Sequence, residues 1–199
     1  MANINEFKSR LRGGGARANQ FRVLMGFPAY AGGSTREVSF LAQSASLPGQ
    51  SVTDVPVNYR GRVLHVAGDR TFAAWQITVL NDTNFAIYRS FERWMNAMNN
   101  LIDNRGLTNP NAYKVDSAVE HLDRNENLLK AYKFIGMYPT GLQDIPLAFD
   151  TNSTIETFTV DLVFDYFETD LAGGGSSGSS GSKVNIQASA SVRGSGTQA

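Results

Sequence analysis

The stretch Ile155-Glu156-Thr157-Phe158-Thr159-Val160-Asp161-Leu162-Val163-Phe164-Asp165-Tyr166-Phe167 alternates apolar and polar side chains along its length. Phe158, Val160, Leu162, Phe164 and Tyr166 fall on one face; Thr157, Thr159, Asp161, Val163 and Asp165 fall on the other. A period of two belongs to a pleated strand with one face against a core, whereas a helix would scatter both sets round its circumference. This segment sets the expectation of a mainly β domain.

The flanking sequence agrees. Phe21, Val23, Met25 and Phe27 alternate with Arg22, Leu24 and Gly26, and Ala73, Trp75, Ile77 and Val79 share a face within Phe72 to Leu80. Further strands are expected around Glu37 to Gln43 and Val52 to Tyr59, with a type II turn at Leu47-Pro48-Gly49 between them. Residues 113–122 and 128–137 flank the polar run Asp123-Arg124-Asn125-Glu126-Asn127, a hairpin with a longer loop. One segment departs from the β pattern. Ile87, Phe91, Trp94, Met98 and Leu101 recur at steps of three and four, which is the apolar stripe of a helix over about 83–101, with Asp82 or Thr83 at its start to accept a free backbone N–H. The stripe reads as core, not as a ligand box. The fold expected is a mainly β domain with one substantial helix that lies across a sheet or plugs a barrel end.

Composition narrows the function. The 199 residues carry 18 basic and 18 acidic side chains and no cysteine, which removes disulfides, thiolate nucleophiles and cysteine-ligated zinc together. The two histidines, His65 and His121, lie far apart and outside any metal-ligand spacing. No Gly-x-Ser-x-Gly elbow and no phosphate-loop lysine occurs, and Gly173-Gly174-Gly175-Ser176-Ser177-Gly178 fits a dinucleotide motif only in low-complexity sequence. Asp161 and Asp165 stand about 13 Å apart along a strand, beyond the carboxylate spacing of glycosidases. The expectation is a protein that is not an enzyme and needs no cofactor or metal. With no apolar run at its start and none elsewhere near 20 residues, no membrane binding is expected.

Charge is unevenly placed. Residues 9–22 hold Arg10, Arg12, Arg17 and Arg22 around Gly13-Gly14-Gly15 with no acid, whereas residues 144–170 hold Asp144, Asp150, Glu156, Asp161, Asp165, Glu168 and Asp170 with no base. A basic head and an acidic finish suit complementary surfaces meeting between copies; they equally suit solvated faces. The basic segment lacks the interleaved aromatics of a nucleic-acid arm. Three regions follow: a basic arm over 1–18, a β domain over 19–170, and a Gly/Ser-rich extension over 171–199. In the last, Val184, Ile186, Ala188, Ala190 and Val192 alternate with polar residues, which predicts a short strand added to a neighbouring chain or laid in a groove on one.

Two ordered stretches carry a resemblance. One runs from Val55-Pro56-Val57 through Val66-Ala67-Gly68-Asp69-Arg70-Thr71-Phe72 to Trp75-Gln76-Ile77-Thr78-Val79 and Asn81-Asp82. The other runs from Gly136-Met137-Tyr138-Pro139-Thr140 through Leu147-Ala148-Phe149-Asp150 to Ile155–Leu162 and Asp165-Tyr166. Each motif is weak alone; in this order and spacing, from about Asn19 to Glu168, the chain resembles the tail tube proteins of T4-like contractile-tailed bacteriophages. The resemblance implies a β-sandwich or half-barrel flanked by one helix, homohexameric rings stacked into a tube, an inner β-barrel shared by six subunits, and genome DNA passing down the lumen. It also implies sheath, baseplate and tail terminator proteins as partners, and a place in the virion after assembly in the host cytoplasm. A lumen that lets a polyanion slide should be acidic or neutral, so Thr157, Thr159, Asp161 and Asp165 are candidates for its wall, with a lateral interface or outer solvent as the alternative. Candidates for the contact between rings are Arg60, Arg62, His65, Asp69 and Arg70, on an expected long loop, and Arg10, Arg12 and Arg17 in the arm. The relatives end near the Asp165-Tyr166-Phe167-Glu168 stretch, which the extension overruns. A tube-initiating baseplate protein, a tube subunit of a phage-like injection system and, more remotely, a monomeric β-barrel binding module remain as alternatives.

Overall fold

A computed structural model describes residues 3–11, 15–150 and 153–169. The expected strand at Val184, Ile186, Ala188 and Val192 lies outside the described residues, as does Arg12. Nine strands and four helices follow in the order α1 (Ile4–Arg10), β1 (Phe21–Leu24), α2 (Thr35–Leu41), β2 (Ala42–Ala45), β3 (Gln50–Tyr59), β4 (Arg62–Phe72), β5 (Trp75–Leu80), α3 (Ala86–Met98), α4 (Pro110–Tyr113), β6 (Val115–Leu122), β7 (Leu128–Leu142), β8 (Thr157–Val163) and β9 (Tyr166–Thr169). The domain is mainly β, flanked by one substantial helix.

Seven strands form one antiparallel sheet in the order β1-β6-β7-β8-β5-β2, with β9 also on β7. β7 is the spine. Its first half pairs with β6 and β9, and its second half with β8. Trp75, Ile77 and Val79 from β5 and Phe158, Val160 and Leu162 from β8 point to one side, where α3 covers them with Ile87, Phe91 and Trp94. Phe91 stands edge-on to Phe158 with centroids 6.5 Å apart, and Trp75 lies 4.6 Å from Phe134, so the core is largely aromatic. Trp94 keeps its indole N–H satisfied by donating to the Tyr113 carbonyl at 2.9 Å.

The long β stretch at the C-terminal end of the domain is kinked. Pairing along β7 holds its register from Tyr138↔Val163 to Ile135↔Tyr166, but Gly136 sits at φ +66 opposite Asp165 and interrupts the strand there. The kink resets the facing: Phe164 is buried and the next aromatic against the core is Phe167, while Tyr166, expected on the core face, is exposed. Helix α3 begins three residues later than expected, behind Phe85 in a left-handed conformation; Asp82 still accepts the Ala86 N–H at 3.0 Å. It ends at Met98, so Leu101, expected on its buried stripe, is exposed.

Two local expectations are corrected. Glu37 to Gln43 is not a strand: α2 occupies Thr35–Leu41, with Ser34 accepting the Glu37 N–H at 3.3 Å and β2 starting only at Ala42. Nor is Leu47-Pro48-Gly49 a type II turn, because Gly49 lies outside the left-handed region that its third position requires.

Candidate assembly surfaces

The expected loop around Ser51 to Asp69 is a β-hairpin. β3 and β4 pair only with each other, register Val55↔Val66, Val57↔Leu64 and Tyr59↔Arg62, and are joined by Arg60-Gly61 with φ of +45 and +82. Two successive positive φ values make a two-residue turn whose twist matches that of the strands, and Gly61 adopts its half without steric cost. Strand alternation gives the hairpin two unlike faces. Val55, Val57, Tyr59, Leu64 and Val66 share one face, each from 45% to 66% exposed, with Arg62 opposite Tyr59 at its tip, while Asp54, Asn58 and His65 lie on the other beside Pro56 and Val63. His65 Nδ1 stands 2.6 Å from Asp54 Oδ2. At the root only, Phe72 tucks against Phe164 and Phe167, at 5.7 and 5.3 Å between centroids.

Of the residues expected between rings, Arg60, Arg62, His65, Asp69 and Arg70 are therefore brought onto one projecting element, with Arg60 at its tip and Arg70 donating to Gln50 Oε1 at 3.1 Å. Arg10 and Arg17 are elsewhere. Arg10 pairs with Glu6 within α1 at 2.7 Å, and the Arg17 carbonyl faces His121 Nε2 at 3.0 Å beside the end of β6.

The residues expected to line a lumen divide. Thr157, Thr159 and Asp161 share the face of β8 opposite the core. Thr159 Oγ1 lies 3.2 Å from Thr78 Oγ1 on β5, and the Asp161 carboxylate accepts from Gln76 Nε2 at 2.6 Å and from Gln143 Nε2. Asp165 is not part of this face. It sits at the kink, where Lys114 Nζ reaches its carboxylate at 2.6 Å, and that hydrogen bond holds the Lys114 ammonium above its ordinary range. Gln76 and Thr78 were legible from the alternation of β5; Gln143 and Lys114 gave no local signal, because pairing across the sheet and the kink puts them there. Among the described residues no three His, Cys, Asp or Glu side chains gather as a metal site, and no helix is long and apolar enough to cross a membrane.

The sequence profile of the family described as phage tail tube protein matches residues 16–170. The chain belongs to the phage tail tube protein family. It is 36% identical over 166 residues to a tail tube protein of Serratia phage KSP90, covering 81% of this chain and 94% of that one. Against tail tube protein gp19 of Enterobacteria phage T4 it is 31% identical over 154 residues, covering 77% and 91%. The fold is also that of the tube-terminating cap of the anti-feeding prophage, at a TM-score of 0.51 and 17% identity over 77% of this chain and 89% of that one. As a tail tube protein, the chain offers three surfaces on which to argue assembly: the hairpin, the polar sheet face and the N-terminal arm.

Proposed function

We propose that this tail tube subunit closes into homohexameric rings that stack round a hollow axis, with β2, β5, β8 and the end of β7 forming one sixth of a continuous inner barrel. The observation that carries the reading is the hairpin β3–β4. A lone two-stranded ribbon is marginal in water, and this one is exposed along all but its root and Gly68, with valine, leucine and tyrosine side chains on one face. Such an element is stabilised by a surface that covers it, and the adjacent ring of an identical chain supplies one. The contact is heterologous, so it propagates into an open filament instead of closing on itself.

The polar face of β8 and β5 then turns inward. Its Thr159–Thr78 contact and the Asp161 carboxylate, held by two glutamines, present hydroxyls, amides and negative charge with no cation, a wall along which genome DNA slides without adhering. The protein's role is a passive conduit in the virion, within a contracting sheath and between baseplate and terminator proteins; it performs no catalysis and binds no cofactor.

The test is electron microscopy of the purified full-length protein beside Val57→Lys/Leu64→Glu. Those substitutions place an opposite-charge pair across the hairpin in the middle of its apolar face. Six-fold rings and tubes are expected from the parent, and folded, unstacked protein from the variant. A parent that stays monomeric under conditions that promote assembly would refute the reading.

A further inference from the structure

Beyond the hairpin, two of the exposed apolar patches stand beside charges of opposite sign. The first is on α1. Ile4, Phe7 and Leu11 follow one another at helical spacing on one side, 68%, 64% and 45% exposed, with Lys8 and Arg10 alongside. The second lies in residues 143–150 and 153–156, between β7 and β8. There Leu147 is 83% exposed and Phe149 fully so, and with Ile155 they border a cleft of about 580 Å³. The rim is acidic. Glu156 lines the cleft and also accepts from Asn81 Nδ2, Asp144 and Asp150 flank the lining residues 145–149 in sequence, the chain has no base between residues 144 and 170, and among the described residues no cation pairs with Asp144 or Asp150.

The root of the arm and the start of the acidic loop lie at opposite ends of β7. Arg17, from which the arm departs, is anchored beside His121, which pairs with Lys130 near the start of β7. The acidic loop begins where β7 ends, at Leu142. The strand contour between these points is about 40 Å. Six residues from Arg17 to Leu11 extend at most about 20 Å, and the seven-residue helix adds about 10 Å. An arm laid along its own sheet therefore stops short of its own loop. In a head-to-tail stack, by contrast, the end that carries the arm faces the end that carries the loop.

We propose that residues 4–11 of one subunit seat in the cleft lined by residues 145–149 and 154–157 of a subunit in the next ring, Phe7 and Ile4 against Leu147 and Phe149, Lys8 and Arg10 towards Asp144, Asp150 and Glu156. The assignment rests on the tube-forming reading above and adds a second contact between rings, separate from the hairpin.

The chain has no cysteine, so introduced thiols report only on the chosen pair. Phe7→Cys and Phe149→Cys proteins are mixed, assembled and mildly oxidised, then separated on a denaturing gel. The expected result is a dimer-sized product from the assembled fraction that is absent from unassembled protein and from either variant alone. Tubes without that product overturn the arm's assignment and leave the tube reading standing; parent protein that gives no tubes overturns the tube reading first. A double variant that gives only a compact, monomer-sized cross-linked species shows the arm on its own loop and also overturns the proposal. Should either thiol block assembly, Leu11→Cys with Leu147→Cys repeats the measurement. Independently, Lys8→Glu and Asp150→Lys should each reduce tube yield when made alone, and recover it when combined in one chain; no recovery counts against the contact.

Discussion

Lys114 Nζ lies 2.6 Å from Oδ1 and 2.9 Å from Oδ2 of Asp165, tying the residue before β6 to the kink between β8 and β9. The carboxylate's hydrogen bond raises the lysine above its ordinary value of 10.5. A raised lysine contributes stability that is fully present below its unfolded value and lost as pH climbs through the higher folded value. Both groups are partly exposed, so Lys114→Ala should cost only about 0.5–1 kcal/mol near neutrality. Thermal unfolding of parent and variant should differ by a few degrees at pH 7 and converge in alkali once the lysine loses its proton in the folded state. A difference undiminished in alkali would mean that the lysine acts through its aliphatic packing instead.

Gly136 adopts φ +66 with the Asp165 carboxylate against the position a Cβ would occupy. Gly136→Ala should therefore lose about 1–3 kcal/mol. Adding Asp165→Ala relieves the crowding but not the left-handed backbone, so recovery in chemical denaturation should be partial.

Trp94 and Leu101 share the same sequence stripe yet differ in burial, 0% against 93% exposed. Trp94→Ala should cost about 3–5 kcal/mol. Leu101→Ala should stay within about 0.5 kcal/mol, a contrast readable in one urea titration.

Arg60 and Arg62 occupy the tip of the hairpin. Replacing both by glutamate should abolish tube formation in electron micrographs while circular dichroism and melting temperature stay those of the parent. Normal tubes would remove the tip from the contact between rings.

Asp161→Lys places a cation on the polar face of β8 that we assign to the lumen. Tubes should still form, but a phage carrying the variant should release DNA more slowly, with the defect relieved by added salt. Unaltered ejection would move that face away from the channel.

Much of this fold was legible because β8, β5 and α3 each bury one face, and burial imposes a period on the residues. The failures have equally physical causes. The segment from Glu37 to Gln43 carries β-compatible residues, yet Ser34 and Glu37 form a capping signature that starts a helix just before them. Tyr166 was assigned to the core face because alternation was carried through a kink that Gly136, on another strand, imposes. Val52 to Tyr59 reads as a strand in the sequence, but its partner β4 passed for loop because neither face of the hairpin is buried within the subunit, so its valines answer to no core in the monomer. Of the candidate surfaces, Thr157, Thr159 and Asp161 could be grouped by parity alone. Their glutamine partners depended on strand order, which no local pattern encodes.

The hairpin springs from the end of β5 at Trp75, and the acidic loop leads into β8 at Thr157, across from Leu80 at the opposite end of β5. A subunit so built has a front and a back, and any stack of them inherits both. Elongation then has a direction, and the growing tip offers the incoming copy the same landing site at every step. Length control reduces to occluding one kind of tip, a task that a single capping component fulfils however many layers lie beneath it.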